Sequence, residues 1–369
     1  MTDLAAPTTA PPPAQATSPL NWIRQNLFNT WYNSLLTILL LWIAYQLVPP
    51  IVTWLTVDAV WWAAPSEVCR EAAGACWAFI HEKWRFIVFG FYPHAEQWRP
   101  ALAMVIGLGL LAASCNRALW NRWLALGWLI GLPAIGILMS GGILGLTHVP
   151  NTRWGGLPLT LGLAVIGLVV AFPLGILLAL ARRSDMPAVR AVAIIYIELI
   201  RGVPLITILF MASLIIPLFL PSGVNFDRLA RAQIGMIMFA AAYLAEVIRG
   251  GLQAIPKGQY EAADSLGLSY WQKQRLIILP QALRISIPPI VNTFIGFFKD
   301  TSLVIIIGLF DLVGAARASL ADAEWRGFYK EAYLFIALIY FFFCYMMSAY
   351  SQHLERTLDH SNRRKGDLG

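Results

Sequence analysis

The chain has 369 residues, of which 58% are hydrophobic and only 13% charged. A water-soluble fold of this size needs far more charge to cover its surface, so the soluble classes are excluded. The net charge of +7 fits basic residues held on one side of a bilayer better than a nucleic-acid surface, and 15 Trp and 12 Tyr fit membrane-interface belts.

Residues 1–20 carry Pro, Ala and Thr with no basic region. They read as a disordered tail rather than a cleavable signal peptide. Eight apolar runs then follow, near 32–53, 100–115, 123–146, 157–181, 203–220, 232–248, 285–309 and 332–350. Each approaches the roughly 20 residues a helix needs to cross the hydrocarbon core. The runs are continuous rather than alternating, so helices and not barrel strands are expected. The fold class is therefore an all-α integral membrane protein with about eight transmembrane helices.

An even number of spans puts both termini on one side. Lys299 falls inside a run, and the other basic residues divide sixteen to ten between the two sides. The richer side holds both termini, and its excess makes it the cytoplasmic one.

Residues 58–99 are long for a connection between neighbouring spans. They include the aromatic and charged stretch CWAFIHEKWRFIVFGFYPHAEQWRP. This external loop is either a binding surface or a folded spacer on the membrane. It holds Cys69 and Cys76, on the side where disulfides form. An unbroken helix would set them roughly 10 Å apart, too far for a bridge; a turn at Gly74 would bring them together. The stretch THVPNTRWGG (147–156) is a discontinuity between a three-span extension, 21–150, and a five-span core, 151–352.

In the core, Glu198 with Arg201 and Glu246 with Arg249 repeat an i,i+3 spacing that suits local bridges more than ligands. Between the sixth and seventh runs lies a polar segment, EAADSLGLSYWQKQRLIILP (261–280). A short helix is expected over 259–266, with Glu261 in its first turn and Gly267 as a left-handed terminator. Ala262 and Ala263 are small enough to admit another surface. Ser269 and Gln272 have capping-box spacing for a second helix, which Pro280 kinks or ends. Tyr260, Leu266, Leu268 and Trp271 are candidate apolar anchors.

Lys299 and Asp300 lie inside the seventh run, followed by Thr301 and Ser302. Charges at that depth are costly and face a cavity or a partner. A helix break over 299–302 would mark a translocation path; a packing pair, or snorkelling to the interface, is the alternative. The last residues, 353–369, form a second cytoplasmic tail.

The order Glu261-Ala262-Ala263, three residues, Gly267, nine residues, Ile277-x-Leu279-Pro280 resembles the EAA loop of ABC-importer permeases. That resemblance implies a loop, 250–283, that docks on an ATPase, with Glu261, Ala262, Ala263, Asp264, Leu266, Gly267, Leu279 and Pro280 as its contact and shaping residues. YIELIRGVPLI (196–206) and FFKDTSLVIIIG (297–308) resemble segments of polar amino-acid permeases of the histidine/glutamine type. The extension with KWRFIVFGFYP is similar to permeases of general L-amino-acid uptake systems.

The resemblance implies a MetI-like five-helix core in a bacterial inner membrane. Its implied partners are a second, homologous permease chain in a heterodimer, two ATPase subunits and a periplasmic amino-acid-binding protein. No GxxxxGK[ST] loop occurs, so ATP-Mg belongs to the partner and this chain binds no cofactor and is no enzyme. The five His show no metal spacing and no GxSxG elbow is present. Two rivals stay open: an ion-coupled secondary transporter using Lys299 and Asp300 without an ATPase, and a non-transporting membrane anchor or sensor.

Overall fold

The computed structural model describes residues 18–219, 221 and 226–366. Most of the expected N-terminal tail lies outside the described residues. Chain contacts divide the molecule into two units, Met1–Trp77 and Ala78–Gly369. Spans two and three of the expected extension thus share a unit with the core.

In the first unit, Ser18 caps α1 (Pro19–Asn26) and Thr30 caps α2 (Trp31–Val52). Helix α2 buries none of its residues and is apolar all round, as a membrane span requires. Pro49 and Pro50 lie inside it, and a π-helical turn, Thr53–Val57, follows directly. Helix α3 (Ser66–Glu71) then stops, and the chain doubles back through Gly74. A Cβ there would stand 2.2 Å from the Asp58 carbonyl carbon, so only glycine fits. The return brings the Cα atoms of Cys69 and Cys76 to 5.4 Å, and the two are joined as a disulfide.

The second unit continues α4 (Trp77–Phe89) into the antiparallel pair α5 (Trp98–Cys115) and α6 (Arg122–Ser140). Arg99, fully buried, pins this pair. Its Nε donates to the Leu138 carbonyl at 2.8 Å and its Nη1 to the Thr147 carbonyl at 2.9 Å. Gly141 and Gly142, both at positive φ, end α6 at Ser140, six residues short of the apolar run. Helix α4 is held to residues 322–328 by the Lys83–Asp322 ion pair at 2.8 Å and by Phe79 against Trp325 and Phe328. Gly90 packs backbone-close on Gly155.

The middle of this unit is the pair α7 (Gly156–Arg182) and α11 (Arg228–Gln253). Gly167, Ala171, Gly175 and Ala179 recur every fourth residue on α7 and are all buried. A Cβ at Gly175 would sit 2.8 Å from that of Leu244. Small residues in this register let two membrane helices approach closely and gain dispersion contacts that larger side chains would block.

Between them, α8 (Pro187–Gly202) bends by 104° at Gly202–Pro204 into a second helical stretch, Leu205–Phe219. That stretch is α9 (Leu205–Phe210), a π turn and α10 (Ile216–Phe219). After α11 come α12 (Lys257–Ser265), α13 (Tyr270–Lys273) and α14 (Leu279–Asp300). A 3-10 stretch, Thr301–Ile307, leads to α15 (Leu312–Ser319) and α16 (Tyr329–Gly366). The last helix runs on through most of the expected C-terminal tail.

Among the described residues seven helices are long and apolar enough to cross a membrane, and the bent pair makes an eighth. The all-α membrane class therefore stands, with seven spans or, where the bent pair crosses as one, eight.

Candidate functional site

The polar segment after α11 folds as a two-helix corner. Pro256 precedes α12, which starts at Lys257, two residues earlier than its composition suggests. Glu261 is thus its fifth residue and lies beyond the first turn, so the macrodipole does little for its charge. At the other end Gly267 has φ +66°. The Leu268 N–H donates to the Ala263 carbonyl at 3.3 Å, and the Gly267 N–H to the Asp264 carbonyl at 2.9 Å. This is a Schellman closure, which satisfies carbonyls that the helix end would otherwise leave bare. A Cβ on Gly267 would meet open space, so glycine serves the backbone angle alone.

The corner is braced from within its own chain. Gln272 Oε1 accepts from the Ser269 N–H and hydroxyl, both at 2.9 Å. Lys273 spans the bend to Asp264 at 2.5 Å. Tyr260 donates to the Leu252 carbonyl and accepts from Arg183 Nη1, both at 3.2 Å, while that guanidinium lies 5.7 Å from its ring centroid. Ala263 is fully buried beneath the corner, whereas Glu261, Ala262 and Asp264 are exposed. Of the candidate anchors Tyr260 packs against the buried core and Leu268 is half-buried, while Leu266 and Trp271 are 74% and 64% exposed.

Pro280 does not end the helical run. A π-helical turn, Gln274–Ile278, precedes it, and Leu279 and Pro280 open α14. Proline lacks an N–H and crowds the carbonyl four residues back, and the wider turn accommodates both. The whole stretch Tyr270–Ile307 remains one helical run.

At the far end of that run α14 gives way at Asp300 to the 3-10 stretch, which closes on Gly308 at φ +76°. Lys299 is exposed and Asp300 half-buried. Thr301 is buried and donates to the Phe298 carbonyl at 2.7 Å, while Ser302 is half-buried. Neither Lys299 nor Asp300 joins an ion pair among the described residues.

Just beyond, Asp311 caps α15. It accepts from the N–H groups of Gly314 at 3.0 Å and Val313 at 3.2 Å, and from the Tyr340 hydroxyl at 3.3 Å. Burial pushes its carboxyl up to about 6, against the opposing pull of those three donors. An Asp immediately before an apolar helical stretch is a capping signal, and it is the only trace of this group in the sequence.

The two i,i+3 pairs behave differently. Glu246 does bind Arg249, whose Nε donates to it at 3.0 Å. Glu198 pairs with Arg182 at 2.8 Å instead of Arg201, and Arg201 reaches Glu246 at 3.7 Å. Arg182 also approaches Glu246 at 3.3 Å, so one carboxylate gathers guanidinium groups from α7, α8 and α11. Nothing in local spacing reveals Arg182, because its partners lie 16 and 64 positions away.

Among the described residues no group of His, Cys, Asp and Glu could hold a metal ion. The run Tyr270–Ile307 thus carries a braced corner at one end and, at the other, two charges that join no ion pair among the described residues.

A family model described as "Binding-protein-dependent transport system inner membrane component" matches residues 171–360. The inner membrane amino-acid ABC transporter permease protein YhdY of Escherichia coli K12 is 51% identical, over 91% of this chain and 92% of its own. The glutamate/glutamine/aspartate/asparagine transport system permease protein BztC of Rhodobacter capsulatus is 42% identical over 98% of both chains. A crystal structure of an amino acid ABC transporter with histidines is 34% identical over 55% of this chain and 92% of its own, with a TM-score of 0.49.

Proposed function

The chain belongs to the family of binding-protein-dependent transport system inner membrane components, and from that premise we propose that it carries amino acids through the membrane by alternating access, driven through the corner at residues 261–280. It is a multi-pass permease subunit of an amino-acid ABC importer, and the ATPase activity resides in separate subunits. Neither rival reading, a lone secondary transporter or a passive anchor, fits that membership.

The observation that carries the proposal is the braced corner itself. Leu266 and Trp271 stand out from a short two-helix corner whose bend is locked by Gly267 and by Lys273–Asp264. A soluble partner can seat on that apolar tip and pass a rigid-body push into α14, because the second arm of the corner, from Tyr270, and α14 belong to one continuous run. The partner is an ATPase subunit that uses ATP-Mg, with two such subunits in the assembly. A related permease chain completes the pore as a heterodimer, and a periplasmic binding protein delivers the substrate. The corner and both termini lie in the cytoplasm, as the excess of basic residues on that side supports.

Lys299 and Asp300, with Thr301 and Ser302, line the path or meet the second permease there. An exposed lysine at membrane depth that joins no ion pair among the described residues needs water or a partner chain. The substrate range is broad. The Rhodobacter relative is named for four amino acids with acidic or amide side chains, which supports a range over a single substrate.

The test is Gly267→Pro. Proline cannot adopt a positive φ, so the corner must open. Copurification of the ATPase and uptake of labelled amino acids should both fall at least about tenfold, the effect of some 1.4 kcal/mol. Undiminished copurification and uptake would rule out the corner as the docking site.

A further inference from the structure

Arg182 and Arg183 are adjacent at the end of α7, and neighbouring helical positions point about 100° apart. The two guanidinium groups consequently reach different structures. Arg183 meets Tyr260 of the corner, by a hydrogen bond at 3.2 Å and by its place over the ring. Arg182 turns to the other side, to Glu198 on α8 at 2.8 Å and Glu246 on α11 at 3.3 Å. Glu198 stands one turn before the Gly202–Pro204 bend, where the chain swings by 104° into the membrane. Two consecutive residues thus join the docking corner to the bent span.

Chemistry favours arginine for such a joint. Its guanidinium stays charged and spreads that charge over a plane, so it can face two carboxylates at once; the Arg182 contacts are ion pairs, and its Nη1 makes no hydrogen bond among the described residues. The Arg182 side chain is 19% exposed and that of Glu246 22%, so water does little to weaken this contact, whereas Glu198 is 54% exposed and its contact is screened more. Arg201, from the bend itself, adds a further contact to Glu246 and lies 5.6 Å from the Tyr243 ring centroid.

We infer that Arg182 and Arg183 are positioning residues that act in series, passing displacement of the 257–273 corner to the bent span so that ATP hydrolysis is converted into substrate movement. The inference rests on the reading that the corner seats the ATPase. It requires neither arginine to touch substrate or nucleotide.

The experiment uses the full complex, with its ATPase subunits and binding protein, in proteoliposomes. The quantity measured is amino acid imported per ATP hydrolysed, which a merely structural loss of yield does not move. Arg182→Gln and Arg183→Leu should each lower that ratio about 5-fold or more, the lower end of typical coupling effects. Links in series predict that the double variant is no worse than the weaker single. A wild-type ratio in either single variant, or a double variant whose loss is the product of the two, overturns the inference. Should Arg183→Leu fail to accumulate, Tyr260→Phe removes one oxygen from the same contact and is judged by the same ratio. Failure of the docking reading looks different, because Gly267→Pro would then keep its ATPase, whereas failure of the series link leaves an assembled, hydrolysing complex with an unchanged ratio.

Discussion

The run from Tyr270 to Ile307 is interrupted twice, and the two interruptions differ in kind. Before Pro280 the helix widens into a π turn, and every bend around it is tied down by the chain's own groups. After Asp300 it tightens into a 3-10 stretch, with Lys299 left exposed and in no ion pair among the described residues. The first break is self-sufficient and suits a part that must keep its shape while being pushed. The second is incomplete within one chain and suits a part that meets substrate or a second subunit.

That contrast can be broken in four ways, taken from the largest effect down. The 3-10 stretch ends near Asp311, whose buried carboxyl binds its proton more tightly in the folded state than in the unfolded one. Its stabilising contribution is therefore full below about pH 4 and is lost as pH rises through about 6. Asp311→Asn keeps a capping side chain without the charge and should remove up to about 3 kcal/mol of that decline. Thermal unfolding in detergent across pH 4 to 7 reads it, and an unchanged slope would mean the charge is compensated elsewhere.

Lys299→Met comes next. Uptake should fall about tenfold, or 1.4 kcal/mol in transition-state terms, with the ATPase still copurifying. Lost copurification instead would erase the distinction between the two breaks. Gly267→Ala should cost about 1 kcal/mol for a left-handed backbone angle, without steric penalty since its Cβ would meet open space. A loss as large as that from Gly267→Pro would show that something packs against the glycine in the assembly. Lys273→Met removes a brace at the surface and should cost at most about 1 kcal/mol. A larger drop in melting temperature would mark the corner as less self-sufficient than its contacts imply.

Much of this architecture is legible in the amino-acid order alone. The membrane spans are continuous apolar runs, and recognising them needs no tertiary information. Gly267 stands out because a left-handed helix terminator favours glycine over every other residue. The features that stay hidden depend on distance in the chain or on backbone detail. The π turn before Pro280 has no compositional mark, so proline alone suggests a kink. Arg99 and Arg182 look like topological charges: Glu96, three residues before Arg99, is a local partner at 3.5 Å, but the two backbone acceptors of Arg99 lie 39 and 48 positions away in another segment. Glu198 and Arg201 satisfy a local spacing rule, yet tertiary packing offers Arg182 to the glutamate and Glu246 to the arginine.

Arg99 has a consequence for how the chain sits in the bilayer. A bare guanidinium is costly in hydrocarbon, and Glu96 at 3.5 Å accompanies this one from the start. The Leu138 and Thr147 carbonyls add their contacts only once α6 and the segment after it have come back beside the start of α5. Arg99 thereby sets these three chain ends level with one another, close to where Gly156 begins the following span.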